Sequence, residues 1–306
     1  MKGLELGRAF FSDECLPRLR REMPGVMPYI AAGLAGEGSD CFGYDDFLSR
    51  DHDWGPAFCI WLPERLMAEY AEPLEAILGS MPEKYGGYKA RKLVGNMRVG
   101  LHSIEYFYRG LIGCGGVPQS AEEWLSAPEH GLAAAVNGEV FLDNLGEFSA
   151  IRQELLKHYP EDVRLWLLAR RCALAAQTGQ YNYLRCLQHG EKLAAEVIKG
   201  RFIENAAGAA FLLSRRYAPF YKWTYRALKQ TEGIGPALVP LLEQAASLRE
   251  KDAIPAIEQA SAVIITELRA QNLSDSGSDF LMDHCGGLIL RIKDEKLRRK
   301  TLRLDF

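Results

Sequence analysis

Strand-forming sequence is confined to the first half of this chain, and that asymmetry limits the folds open to it. Short apolar runs in this half predict strands at 27–34, 54–62, 99–104 and 139–142. From Phe148 onward the apolar residues recur at helical spacing, with almost no strand pattern. We therefore expect an α+β protein with a small mixed-sheet α/β domain over 1–147 and an all-helical bundle over 148–306.

Charge and cysteine content exclude several protein classes. The 306 residues carry a net charge of −3, so no overall basic field favours nonspecific binding of nucleic acid. The seven cysteines are scattered and never spaced as Cys-x-x-Cys, which argues against a disulfide framework and a zinc site. The N-terminus lacks a signal-peptide core, and no uninterrupted apolar run approaches membrane-spanning length. These features predict a cytoplasmic protein without a membrane segment.

A glycine–serine turn followed by two aspartates is the pattern that points most directly to chemistry. Gly38-Ser39 follows the first predicted strand, and Asp51 and Asp53 lie where the second begins. Residues two apart on a strand point to the same face, so the two carboxylates would project together. A divalent cation relieves their repulsion, and Mg²⁺ takes one or two carboxylates together with substrate phosphates. The turn would offer backbone N–H groups and a hydroxyl to those phosphates.

The alternative interpretation of this pattern is structural. Gly-Ser-Asp is an ordinary turn sequence, and it recurs at Gly277-Ser278-Asp279 with no acidic strand after it. On that interpretation, Asp51 and Asp53 are a solvated strand end. The combination of turn, gap and apolar strand favours the metal–nucleotide site.

This combination resembles the nucleotidyltransferase superfamily, the polymerase-beta-like fold that includes the kanamycin and lincosamide nucleotidyltransferases. Its signature is a strand ending in Gly-Ser or Gly-Gly, a short gap, and Asp-x-Asp on the next strand. Residues 36–56 fit that signature, and together with 138–146 and 216–223 they are similar to a bacterial branch of unknown function. The resemblance implies a nucleotidyltransferase domain followed by a helical bundle that forms one wall of the acceptor-substrate cleft.

Two-metal chemistry usually requires a third carboxylate. In the resembled superfamily this group lies on a later strand beside the Asp-x-Asp strand. Glu105, after the third predicted strand, is the first candidate, and Asp143, after the fourth, is the second. Each also suits a solvated strand end or a helix start.

Three cations are candidates for contacts with a nucleotide. Arg50 lies beside the acidic pair, and Arg216 and Lys222 belong to a run rich in aromatic residues in the helical half. Arginine and lysine suit triphosphate oxygens, and aromatic faces stack on bases. The alternative for the second group is a helix–helix corner at Pro219.

These features together predict a Mg²⁺-dependent nucleotidyltransferase, with one or two metal ions. It would transfer a nucleoside monophosphate, by default AMP, from a nucleoside triphosphate to an acceptor hydroxyl and release pyrophosphate. Asp51 and Asp53 would hold the metal and form the catalytic set with Glu105. A small-molecule acceptor is favoured over nucleic acid. The alternatives are a non-catalytic nucleotide- or partner-binding module and a metal-dependent phosphohydrolase. The residues expected to bind the nucleotide are Gly38, Ser39, Arg50, Arg216 and Lys222.

Overall fold

A computed structural model describes residues 2–302, apart from the side chain of Asp51. The chain divides into two units, Met1–Lys157 and His158–Phe306. Across the described residues every strand lies in the first unit, and the second is helical. The α+β class, with a small mixed sheet followed by a helical region, is therefore confirmed.

The first unit is organised around a four-stranded sheet. The strands of the chain are β1 Ala31–Leu34, β2 Cys59–Leu62, β3 Lys84–Tyr85, β4 Tyr88–Lys89, β5 Gly100–Ser103 and β6 Glu139–Asp143. The sheet order is β5-β2-β1-β6, and β3 and β4 form a separate hairpin. β1 runs antiparallel to β2 and to β6, whereas β5 is parallel to β2. The sheet is therefore mixed.

Helices make up most of the remaining chain. The first unit contains α1 Gly3–Phe10, α2 Leu16–Glu22, α3 Glu64–Gly79, α4 Ile104–Ile112, α5 Ala121–Ser126, α6 Glu129–Ala135 and α7 Glu147–Leu156. The second contains α8 Glu161–Ala175, α9 Tyr183–Gln188, α10 Lys192–Leu213, α11 Tyr221–Lys229, α12 Ile234–Ser247, α13 Ile254–Ala270, α14 Met282–Leu290 and α15 Glu295–Arg298. None of the helices in the described part of the chain has the length and apolarity that a bilayer crossing requires.

Part of the core of the first unit forms where Phe148 of α7 meets Trp61 of β2. Trp61 of β2 and Phe148 of α7 are fully buried, and their rings stack with centroids 4.0 Å apart. The hydroxyl of Tyr108 donates a hydrogen bond of 3.1 Å to the backbone carbonyl of Phe148. These contacts join α7 to the first unit, which extends to Lys157, whereas the sequence pattern predicts a domain boundary after residue 147.

The second strand is shorter than the sequence predicts. The apolar run predicts a strand over 54–62, whereas β2 begins at Cys59. Gly55 has φ of +139°, and Pro56 has no backbone N–H to donate to a neighbouring strand. The ladder therefore cannot extend back through these two residues.

The two aspartates do not share a strand. The backbone of Asp51 ends a 3₁₀ turn, Leu48–Asp51, and Asp53 has φ of +51°. Side chains alternate between faces only along a strand. The prediction that strand geometry projects both carboxylates from one face is therefore wrong. The side chain of Asp51 lies outside the described residues.

In the second unit, α10 is the central helix. It packs against α8, α12 and α13. Small buried residues along it, including Ala206 and Ala210, allow neighbouring helices to approach closely, and Phe202 fills the space beside the π-helical turn Ala176–Asn182. Burial of this helix on several sides fits its sequence, which is apolar around much of the circumference.

Candidate ligand pocket

A cavity of about 500 Å³ lies in the first unit. Its wall is formed by the loop after β1, the segment between β4 and β5, β5 itself and α4. The lining residues with polar chemistry include Gly36, Gly38, Arg91, Arg98, His102 and Arg109. Three guanidinium groups and a glycine-containing loop therefore line one concave surface.

The loop after β1 has a defined backbone shape. Gly36 has φ of +126°, a conformation that favours glycine. The side-chain amide of Asn137 accepts a hydrogen bond of 2.9 Å from the backbone N–H of Gly36 and donates one of 2.6 Å to its carbonyl. At Gly38, a methyl group would overlap the carboxylate of Asp40. The loop therefore presents backbone rather than side chains to the cavity at both glycines.

A buried ion pair links this loop to Arg91. The carboxylate of Asp40 lies 3.3 Å from a guanidinium nitrogen of Arg91, and their side chains are 2% and 7% exposed. Asp40 also accepts a hydrogen bond of 3.0 Å from the backbone N–H of Cys41. Nε of Arg91 is buried without a hydrogen-bond partner among the described residues. Arg91 thus adds a positive charge to the wall of the pocket.

Burial and the adjacent Asp40 carboxylate raise the pKa of the Cys41 thiol well above its ordinary value. Burial dominates this shift, and the charge of Arg91 opposes it. Because the thiolate is disfavoured, Cys41 is not a nucleophile at neutral pH. It contributes apolar surface to the pocket.

Arg98 joins the pocket to Asp53. It donates a hydrogen bond of 3.1 Å to the carboxylate of Asp53, and its other terminal nitrogen lies 3.9 Å from Glu37. Arg98 and Asp53 are 50% and 41% exposed at their side chains. Both ion pairs are solvated, so a ligand can replace them at low energetic cost.

Arg109 faces the pocket from α4 and has a similarly weak partner. Its guanidinium lies 3.9 Å from the carboxylate of Glu64, and both side chains are more than half exposed. The exposed guanidinium retains donors for planar anions such as phosphate or carboxylate. With Arg91 and Arg98, it gives the pocket an anion-binding character.

His102 is the buried polar side chain of β5 that lines the cavity. It is 8% exposed, and its ring lies nearly parallel to that of Tyr106, with centroids 5.9 Å apart. No described residue supplies a hydrogen-bond partner for Nε2. Burial lowers the pKa of His102 below its ordinary value, and a hydrogen bond with the backbone of Val99 opposes this effect. The imidazole is therefore neutral at pH 7.

Of the residues predicted to act with the acidic pair, Gly38 lines the pocket, whereas Arg50 is not among the lining residues. Gly38 lines the pocket, and Ser39 follows it in the same loop, half-buried. Asp53 reaches the pocket through Arg98. Arg50 instead stacks on Trp54, with its guanidinium carbon 4.7 Å from the ring centroid. Contacts of these groups with phosphate or metal stay predictions.

Both candidates for a third carboxylate cap helices. Glu105 accepts a hydrogen bond of 2.9 Å from the backbone N–H of Glu64, the first residue of α3. Asp143 accepts hydrogen bonds of 2.8 Å from Gly146 and 2.7 Å from Ser149 at the start of α7. These bonds satisfy N–H groups that a helix start leaves unpaired. The structural alternative for each residue therefore has a defined hydrogen-bonding role.

Among the side chains that the structure describes, no group of three or more His, Cys, Asp or Glu residues is arranged to hold a metal ion. Asp51 falls outside that comparison because its side chain is not described. Mg²⁺ needs fewer protein ligands when phosphate oxygens complete its coordination. Asp53, with an accessible carboxylate, suits that arrangement.

Arg216 and Lys222 belong to the second unit, and both are exposed. The ammonium group of Lys222 lies 5.3 Å from the ring centroid of Trp223, a cation–π distance. The backbone N–H of Arg216 donates a hydrogen bond of 3.0 Å to the carbonyl of Phe211. A role for either side chain in nucleotide binding stays a prediction.

Sequence reasoning missed the pocket arginines. Arg91 and Arg98 come from the segment between β4 and β5, and Arg109 comes from α4. Their spacing in sequence matches no recognised binding motif. The sequence feature that could have indicated them is the run of lysine and arginine residues between the β3–β4 hairpin and β5. His102 was visible on a predicted strand, but the sequence offered no partner for it.

Comparison with known proteins adds little to this description. Residues 124–224 match a family model described as a domain of unknown function (DUF4037). No curated protein matches the chain. A solved structure of a nucleotidyltransferase-like protein from Exiguobacterium sibiricum 255-15 has 12% sequence identity and a TM-score of 0.39, with 84% of this chain and 75% of that chain covered. A likeness at that TM-score supports no statement about fold or function.

Proposed function

We propose that the pocket of the first unit binds a nucleoside triphosphate and that the protein is a nucleotidyltransferase. The observation that carries this proposal is the convergence of Arg91, Arg98 and Arg109 with the Gly36–Gly38 backbone on one cavity of about 500 Å³. Guanidinium groups and exposed loop backbone are common ligands of phosphate oxygens. The cavity volume lies within the range of small-molecule sites.

The proposed reaction moves a nucleoside monophosphate, by default AMP, to an acceptor hydroxyl. The acceptor oxygen forms a bond to the α-phosphorus, and the bond from that phosphorus to the bridging oxygen of the β-phosphate breaks. Pyrophosphate leaves with the bonding electrons, and the hydroxyl proton passes to solvent. The arginines would hold the phosphates and balance the charge on the departing group, which is the main demand of phosphoryl transfer.

Mg²⁺ is part of the proposal, since nucleoside triphosphates usually bind to proteins as Mg²⁺ complexes. Asp53 would hold the ion together with phosphate oxygens, and the sequence adds Asp51 as a second carboxylate. When bound, the ion would neutralise phosphate charge. Arg98 would exchange its pairing with Asp53 for contacts with the nucleotide. The acceptor is expected to be a small molecule, and the setting cytoplasmic.

A second candidate is a nucleotide-binding module without turnover. It is favoured by the capping bonds of Glu105 and Asp143, since they leave both proposed third carboxylates engaged at helix starts. A phosphohydrolase would need the same metal set with water as the nucleophile. The products of the reaction distinguish the three functions.

The test combines binding and product analysis. Titration calorimetry with ATP and Mg²⁺ would compare the wild type with Asp53→Asn, and with Glu75→Gln as a control on the exposed surface of α3. We expect Asp53→Asn to weaken Mg²⁺-dependent binding and the control to match the wild type. In parallel, each α-labelled triphosphate would be incubated with Mg²⁺ and a set of small hydroxyl compounds.

Pyrophosphate together with a labelled adduct would support transfer. Free phosphate would favour hydrolysis, and tight binding without either product would favour the module. Absence of binding by the wild type to every triphosphate would overturn the proposal.

A further inference from the structure

Two residues that line the cavity each carry a buried polar atom with no hydrogen-bond partner among the described residues. One is Nε of Arg91, which is a hydrogen-bond donor, and the other is Nε2 of His102. Buried polar groups in proteins are nearly always hydrogen-bonded, because leaving one unpaired costs free energy. A ligand that supplies both missing partners would therefore gain affinity at this site.

The protein environment determines which partner His102 needs. The backbone of Val99 engages the ring in a hydrogen bond that favours its protonation, so the ring donates to that carbonyl. Since Nε2 has no partner in the described part of the chain, the donating atom is Nδ1. Nε2 of the neutral ring then carries a lone pair and accepts hydrogen bonds. The near-parallel ring of Tyr106 leaves the imidazole edge directed away from its face.

A phosphate oxygen suits Arg91 but not His102. Phosphate oxygens are acceptors, so they pair with the guanidinium and would repel the lone pair of Nε2. The groups of a nucleotide that donate hydrogen bonds are the ribose hydroxyls and the N–H groups of the base. The hydroxyls occur in all four ribonucleotides and lie nearer to the phosphates.

We propose that Nε2 of His102 accepts a hydrogen bond from a ribose hydroxyl while Arg91 holds a phosphate, so that a nucleotide lacking this hydroxyl binds the pocket more weakly. This assignment rests on the proposed nucleotide-binding function and makes His102 a specificity-determining residue. The charged groups that share the cavity with His102 are Glu37, Arg91, Arg98 and Arg109.

The test measures selectivity by calorimetry with ATP, 2′-deoxy-ATP, 3′-deoxy-ATP and purine riboside triphosphate, each with Mg²⁺. We expect the wild type to bind ATP about fivefold to tenfold more tightly than one of the two deoxy analogues, the gain of one hydrogen bond to a neutral acceptor. His102→Phe keeps an aromatic ring against Tyr106 and removes the acceptor. It should bind ATP as weakly as the wild type binds that deoxy analogue.

His102→Gln keeps an acceptor oxygen on a flexible chain and should retain part of the selectivity. A third readout needs no variant: the ¹⁵N signal of His102 Nε2 should shift when ATP binds and shift less when the disfavoured deoxy analogue binds. This readout keeps the proposal testable if His102→Phe does not fold.

The outcomes separate the two proposals. If the wild type binds none of the triphosphates, the nucleotide function fails and the role of His102 fails with it. If ATP and both deoxy analogues bind equally, or if His102→Phe keeps the full selectivity, the role of His102 is overturned and nucleotide binding stands. A loss of affinity confined to purine riboside triphosphate would assign recognition to the base amine and would also overturn the proposal.

Discussion

Arg98 lies between two carboxylates, hydrogen-bonded to Asp53 at 3.1 Å and 3.9 Å from Glu37. Its side chain is half exposed, as are those of both acids. Exposed ion pairs contribute only about 0–1 kcal/mol to the free energy of unfolding. Arg98 is therefore held near the pocket by interactions that a more strongly charged ligand can displace.

We predict that Arg98→Gln weakens ATP binding without destabilising the protein. A hydrogen bond from a guanidinium to a charged oxygen contributes about 1.5–3 kcal/mol, so the dissociation constant should rise by roughly tenfold or more. Calorimetry gives the affinity, and urea unfolding gives the stability. Arg20→Gln, at an exposed position of α2, is the matched control and should change neither. Equal ATP affinity in all three proteins would exclude Arg98 from the binding surface.

Unlike the exposed ion pairs of Arg98, the buried pair of Asp40 and Arg91 should contribute strongly to the stability of the protein. Asp40→Asn keeps the shape of the side chain but leaves the guanidinium of Arg91 buried without its counter-charge. We expect this substitution to lower the free energy of unfolding by about 3–5 kcal/mol. Urea denaturation measures the loss, and Glu75→Gln serves as the exposed control. A change no larger than that of the control would show that water already screens Arg91.

Asp143 should contribute to the stability of the protein rather than to catalysis. Its two oxygens accept hydrogen bonds from Gly146 and Ser149, so Asp143→Ala removes both capping bonds. We expect a cost of about 1–2 kcal/mol in the free energy of unfolding and an unchanged affinity for ATP. Asp143→Asn keeps one acceptor and should lose less. Full stability of Asp143→Asn together with loss of pyrophosphate release would instead assign Asp143 to catalysis.

His158 should make the second unit sensitive to acid. Burial lowers its pKa from 6.5 to about 4, with smaller effects from the charges of Arg164, Arg215 and Glu161. Below pH 6.5 the unfolded chain takes up a proton that the folded chain does not bind until near pH 4. Stability therefore falls as the pH decreases through that window, by about 3 kcal/mol in total.

The test of this linkage compares His158→Asn with the wild type. Asparagine suits this position because His158 has φ of +72°. Unfolding free energies measured from pH 7 to pH 4 should fall less steeply in His158→Asn, whereas His189→Asn, at an exposed site, should follow the wild type. Parallel curves for all three proteins would contradict a buried neutral His158.

Local sequence patterns were sufficient to predict the fold class but not the ends of strands. The apolar residues of β2 predict its presence, yet the pattern alone extends the strand to Trp54. What ends it is the backbone at Gly55 and the missing N–H of Pro56, which a hydrophobicity pattern does not register. The sequence also predicts a loop where the β3–β4 hairpin lies, because Gly86-Gly87 supplies its turn and its strands are only two residues long.

The pocket was harder to predict than the fold, since its parts meet only through strand pairing. Gly38 belongs to a turn that the sequence identifies, whereas Arg91 and His102 approach it because β5 pairs with β2 and β2 with β1. Nothing in the spacing of these residues encodes that proximity. Glu105 shows the converse, because an acid after a strand pattern fits a metal ligand and a helix cap equally well until its partner is known.

The two hydrogen bonds between Asn137 and Gly36, here called the clasp, have a consequence for the order in which the protein folds during synthesis. The residues that line the pocket lie at positions 34–111, but the clasp and the pairing of β6 with β1 require the chain to reach Asp143. A nascent chain released from the ribosome tunnel only as far as residue 130 would hold every lining residue and lack the contacts that shape the loop. The pocket therefore takes its final shape only after β6 has been synthesised. A pause in translation before β6 would leave an intermediate that lacks the hydrogen bonds between Asn137 and Gly36.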